Sequence, residues 1–481
     1  MIPLLGYAPD RDNTTPGVLT DVSNIIPNER GFVGAPSGVA PSGVAALAAE
    51  CRGAVVVTRP SGARRIIAGT QTKLYEYTGG SWVDVSAAGN YTGSAENRWS
   101  FAQFGDFTIA SNDTEAINAS SSSAFVALTA PKAKIVYTVR DQVLALNTND
   151  ATYGDTPDRW WCSGIYDHTQ WSVAVPTQCN TGRLVATPGE ITAGLALGSN
   201  AVAYKKAGVY LGSYVGSPVV WQWDAVHNES GCVGQDAVCD IDGAHFYCSE
   251  DGFYIFDGSR PFRIGDGEIT QWFADNSSPT YRYKTICRYD RQSKRVYVFF
   301  VSKAASSPDM ALVYHVTSKR WGKMTKAVEA ALNYVAAGVT IDGLSAVAAT
   351  IDTLPSIPLD SQYWQSGGRA FSVFNTSHQI QTLTGAASAS SITTGDLGDD
   401  TMFTLLSGAR VRFLNAPTSA TGEAFYRNNI GDDYEIGSTF TMSGNRADVL
   451  QSARWHRMRF DFTGDVEVNG VRFNTTVEGE E

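Results

Sequence analysis

Lys73-Leu74-Tyr75-Glu76-Tyr77, then Thr78-Gly79-Gly80-Ser81, then Trp82-Val83-Asp84-Val85: aromatic and β-branched residues on two arms flank a glycine turn. That is a β-hairpin, because the glycines supply the φ values of a tight turn and the arms suit a pleated, half-buried surface. Upstream, Ala54 to Thr58 and Arg65-Ile66-Ile67-Ala68-Gly69 add two more strands, giving a small antiparallel sheet of three or four strands. Similar units follow. Val202-Ala203-Tyr204 precedes Val209-Tyr210-Leu211-Gly212, and His245-Phe246-Tyr247-Cys248 precedes Gly252-Phe253-Tyr254-Ile255-Phe256-Asp257-Gly258. Cys287-Arg288-Tyr289 turns through Asp290-Arg291-Gln292-Ser293-Lys294 into Arg295-Val296-Tyr297-Val298-Phe299-Phe300, and a further strand leads to Trp321. Recurrence at very roughly 40 residues is the pattern of a β-propeller, in which each sheet buries its face on a neighbour. The spacing predicts an all-β propeller over residues 52–385 with room for roughly six to eight blades; a pair of β-sandwiches is the competing arrangement.

Composition bounds the rest. The chain has 481 residues, 43% hydrophobic and 18% charged, so it packs a core and is neither a disordered tail nor a coiled coil. Forty-six glycines with 21 Tyr, 21 Phe and 11 Trp favour short strands and tight turns. Residues 1–51, with the direct repeat Ala35-Pro36-Ser37-Gly38-Val39 and Ala40-Pro41-Ser42-Gly43-Val44, read as an extended N-terminal arm or loop. Ala386-Ala387-Ser388-Ala389-Ser390-Ser391 reads as a linker, and residues 386–481 as a smaller C-terminal β domain. In its clearest strand, Arg457-Met458-Arg459-Phe460-Asp461-Phe462, charged and apolar residues alternate strictly, so one face is buried. No apolar run is long enough to span a bilayer and Met1-Ile2-Pro3-Leu4-Leu5-Gly6 lacks a signal-peptide pattern, so no membrane insertion by this chain is expected. The seven cysteines are odd in number and contain no C-x-x-C, which predicts buried free thiols.

Motifs that carry chemistry are missing from the sequence. None of the six histidines sits in H-E-x-x-H or at metal-ligand spacing to another, and G-x-S-x-G, the P-loop and G-x-G-x-x-G do not occur. The expectation is no enzyme, no catalytic residues, no cofactor and no metal. Asp240-Ile241-Asp242-Gly243 looks like the front of a calcium loop but reads as a turn, since the remaining ligands are missing. Two readings compete with a structural role. The loops at Asp266-Gly267-Glu268 and from Asp396 to Asp400 could supply the carboxylate pair of a propeller glycosidase. Trp160, Trp161, Trp171, Trp221 and Trp223 could be stacking platforms of a carbohydrate-binding or receptor-binding tail protein, although core packing suits them better.

Four stretches, in order, resemble the tail nozzle (tail hub, or packaged-DNA stabilisation) proteins of short-tailed bacteriophages. They are Pro16-Gly17-Val18-Leu19-Thr20-Asp21-Val22-Ser23-Asn24-Ile25-Ile26-Pro27-Asn28-Glu29-Arg30-Gly31-Phe32; Arg159-Trp160-Trp161-Cys162-Ser163 followed by Trp171; Val209-Tyr210 through Trp221, Gly231-Cys232 and Gly252-Phe253-Tyr254 to Asp257-Gly258; and Ser452-Ala453-Arg454-Trp455-His456-Arg457-Met458-Arg459. In the second stretch Cys162 interrupts the family's adjacent pair of Trp and Ser. The resemblance implies a structural virion protein, assembled in the host cytoplasm as a homohexameric ring below the portal and adaptor, beside tail fibre or tailspike proteins. Its bore would conduct double-stranded DNA at ejection and help retain the packaged genome.

Lys and Arg number 37 against 48 Asp and Glu, a formal net charge of −11. Repeated around a ring, that charge predicts an acidic or neutral bore that does not grip phosphates, with the Asp266 and Asp396 loops as candidate lining. It predicts no measurable duplex binding at physiological salt, while a local basic patch remains compatible with the total.

Overall fold

The computed structural model describes residues 2–41, 43–87, 89–337, 350, 366–429 and 431–480. Among them, strands dominate, and regular helix is confined to Thr270–Asn276 and a single 3-10 turn at Arg282–Lys284. The fold is a β-propeller with an extended N-terminal segment and a smaller C-terminal β domain.

Four units are complete four-stranded antiparallel meanders, covering 54–84, 191–227, 238–264 and 286–325. Between the first two lies a seven-stranded sheet that serves two blade positions because one long strand, Val126–Val139, is shared. Its first half pairs with Ala116–Ser120, and past Pro131 its second half pairs with Gln142–Asp150. There the Ser100 hydroxyl donates to the Val136 carbonyl (3.1 Å) and accepts from its N–H (2.9 Å), setting one innermost strand beside the next. The last unit, Ala330–Ala337, Ser366–Phe374 and Ile380–Thr382, is completed from the N-terminal side, where Val39 bridges Thr382 and Pro36 bridges Ala387. Half of the direct repeat thus closes the ring.

The aromatic strands fill the space between blades. Trp321 is 1% exposed, 4.7 Å from the Tyr314 ring and 5.0 Å from that of Phe253, which joins two neighbouring blades. Trp321→Ala should therefore cost about 3–5 kcal/mol, read as a lowered urea midpoint with an unchanged slope. The Gly231-Cys232 pair also has a steric cause: a Cβ at Gly231 would lie 1.9 Å from the Lys205 carbonyl oxygen, so the loop can pass there only as glycine. All seven cysteines are buried and unpaired.

The first 34 residues hold the two modules together. Ile25–Pro27 pairs with Arg320–Thr325 of a blade and with Phe32–Gly34, and Phe32–Gly34 pairs with the C-terminal strand Glu467–Glu480. One ten-stranded sheet therefore runs from propeller to C-terminal domain. That domain is a sandwich, whose second sheet again borrows an N-terminal strand, Val18–Ser23, beside Ser390–Thr394. The stretch expected to be a linker thus ends in a strand, with Ser390 and Ser391 buried. On Trp455–Thr463 the alternation holds: Met458, Phe460 and Phe462 are buried while Arg459 and Asp461 pair at the surface.

Candidate functional site

Innermost strands from seven blade positions surround an axial tunnel of about 440 Å³. It meets a wider mouth of about 940 Å³ formed by the loops at one end of the propeller. At the junction, Asp236 accepts from Arg98 Nε (2.5 Å) and Arg288 Nη2 (2.6 Å), one guanidinium on each carboxylate oxygen. Both arginines are anchored further: Arg98 Nη2 donates to the Glu329 carbonyl (3.1 Å), and Arg288 donates to the Ala331 (3.3 Å) and Cys287 (2.9 Å) carbonyls. Burial alone would push the Asp236 carboxyl up, but the two guanidiniums outweigh it and hold it at about 2. The result is a charge-assisted plug that fastens four blade positions across the axis.

Above the plug, Glu329 accepts from the Cys51 N–H (2.9 Å) and pairs with His378 Nδ1 (2.7 Å), and burial raises its carboxyl above the ordinary range. Lys284 pairs with Glu96 (3.1 Å) and Lys134 with Glu190 (3.3 Å). The mouth is mixed in sign, and its charges are largely spent on one another. Chemically, the junction is a lock.

The carboxylates expected as bore lining or as an acid and base pair are otherwise engaged. Asp396 is buried between Arg427 (2.8 Å) and Arg457 (2.6 Å), so it presents no free charge to a channel and that expectation is corrected. Asp399 caps the N–H groups of Thr401 and Met402, and Asp400 accepts from Trp455 Nε1. Asp266 pairs with Arg263 (3.0 Å) and Glu268 with Arg11 (2.6 Å). In the 240–243 turn, Asp240 accepts from the Gly243 N–H, while Arg291 binds Asp240 and Asp242. Among the described residues no group of three or more His, Cys, Asp or Glu is placed to hold a metal. Trp160, Trp161, Trp171 and Trp221 are buried and cannot stack on a sugar; Trp223 is half-buried against Trp160.

Two of the histidines, His245 and His456, are structural as well. His245 bonds through its ring nitrogens to the Tyr204 hydroxyl (2.8 Å) and the Ala196 carbonyl (3.1 Å), and His456 to Thr404 and Gln451. Burial lowers both pKa values, partly opposed by hydrogen bonds to backbone carbonyls. A histidine kept neutral in the fold contributes stability that is complete above its unfolded value of about 6.5 and is lost as the pH falls below it. The melting temperature should accordingly drop between about pH 7.5 and 5, and less so in His245→Gln.

Arg98, Asp236 and Arg288 were invisible as a site in the sequence, since 138 and 52 residues separate the partners and no local motif joins them. No protein-family model and no curated protein matches the chain. Among solved structures, a chain of the Mitotic Checkpoint Complex is similar at a TM-score of 0.39 and 9% identity, covering 73% of this chain and 96% of that one. YCF48 bound to D1 peptide gives 0.33 and 12%, covering 67% and 87%. The computationally designed Ika8 protein gives 0.34 and 8%, covering 70% and 97%. At such scores the likeness carries nothing about activity.

Proposed function

We propose that this chain is a structural subunit of a short-tailed phage tail, forming the nozzle ring below the portal and adaptor, conducting DNA and helping to retain the packaged genome. The observation that carries the reading is the ten-stranded sheet that fuses propeller and sandwich through the N-terminal strands. A ring that contains a pressurised genome needs stiff subunits, and backbone pairing across the module boundary supplies that stiffness. The plug supplies a second argument. Duplex DNA, whose major groove alone is about 12 Å wide, cannot thread a tunnel crossed by Arg98, Asp236 and Arg288, so the conduit belongs between subunits of a closed ring. Of the four stretches that resemble the nozzle family, the first runs from Val18–Ser23 into Ile25–Pro27 of the ten-stranded sheet, Gly154–Cys162 and Gly208–Gly216 are blade strands, and Trp455–Thr463 lies in the second sheet of the sandwich.

Mixing the purified protein with the portal and adaptor complex of the same virion tests the reading. The expected result is a stoichiometric ring on the adaptor, even if the free protein is monomeric. Failure to join that complex under any condition would overturn it.

A further inference from the structure

The outer face of the sandwich carries a row of arginines. Across three adjacent strands, Arg410 lies directly opposite Arg446 on one side and Arg472 on the other. Arg412 is two residues along from Arg410 on the same face, opposite Gly470. All four are exposed, while Ala409, Val411, Ala447 and Val471, which alternate with them, are buried inside the sandwich. Arg446 pairs with Asp448 (2.5 Å); Arg410, Arg412 and Arg472 make no ion pair or side-chain hydrogen bond among the described residues.

Like charges directly opposite in a sheet destabilise it, so this register costs stability in the free protein. Neighbouring strands lie about 4.8 Å apart and alternate residues about 7 Å apart, so the guanidiniums form a compact two-dimensional array. Each offers a planar fork of donors suited to phosphate oxygens. An overall charge of −11 makes a cluster of this sign more conspicuous. We propose that this face binds the phosphate backbone of duplex DNA, without base readout, through Arg410, Arg412, Arg446 and Arg472. It stands on the sheet register and holds whether or not the chain forms a nozzle.

Four phosphate contacts would give a salt slope no steeper than about −3.6, so affinity should fall about a hundredfold between ~50 and ~200 mM salt. This reconciles a real contact with weak binding at physiological salt, and lets a ring of subunits restrain DNA without locking it.

The test is fluorescence anisotropy of a labelled random-sequence duplex of about 30 base pairs, titrated with the full-length protein across that salt range. The expected result is sequence-independent binding that Arg410→Gln/Arg472→Gln weakens by roughly tenfold per arginine at ~50 mM salt, flattening the slope by about 1.8. The melting temperature of that variant should hold or rise, because a like-charge pair is relieved. Two results would overturn the proposal. One is no binding at low salt, or binding that the double variant retains with an unchanged slope. The other is a change in self-association without a change in DNA binding, which would assign the row to an acidic surface of a second copy.

Discussion

Replacing Asp236 with alanine is expected to destabilise the protein by about 3–5 kcal/mol, the usual cost of stranding buried charge without its partner. Two guanidiniums depend on this carboxylate, whose side chain is 12% exposed, so truncation leaves both uncompensated inside the propeller. The pH dependence follows from the same geometry. A carboxyl held at about 2 against an unfolded value near 3.9 contributes about 2–3 kcal/mol that is present above roughly pH 4 and lost as the pH falls through 2. Denaturant unfolding of wild type and Asp236→Ala at pH 7 and at pH 3 should show the gap narrowing in acid. An Asp236→Ala protein as stable as wild type at pH 7 would mean that the plug is dispensable.

Removing residues 1–34 should have a still larger effect, because it takes away parts of both sandwich sheets. Leu19, Val22, Ile25, Ile26 and Phe32 are all 0% exposed, and at about 1.5–3 kcal/mol for each buried side chain their loss approaches the 5–15 kcal/mol that stabilises a typical domain. Limited proteolysis should cut the truncated protein within 397–480 under conditions where the intact chain resists. Equal resistance of the two would show that the sandwich folds without its N-terminal strands.

These two features mark how far the sequence could be read. The 73–85 hairpin and the aromatic strands were legible because their pairing is local and their alternation matches a half-buried pleat. The N-terminal segment was read as an arm because strands such as Ile25–Pro27 and Phe32–Gly34 are only 3 residues long, and beyond their pairing with each other the strands they join lie hundreds of positions away. Asp396 looked like a free carboxylate because nothing nearby in the chain announces Arg427 and Arg457 as partners. Likewise, the pattern Arg410-Val411-Arg412 announces an alternating strand, but only the register with Arg446 and Arg472 turns it into a patch. Local periodicity is written in the sequence; which distant edges meet is decided by packing.

Cryo-electron microscopy of the virion bears most directly on the central proposal. The expected map shows copies of this chain as a closed ring below the portal and adaptor, with DNA on an axis that passes between subunits while each propeller's own tunnel stays blocked at Asp236. A map that places the chain away from the DNA axis, as an isolated fibre or receptor-binding knob, would contradict it.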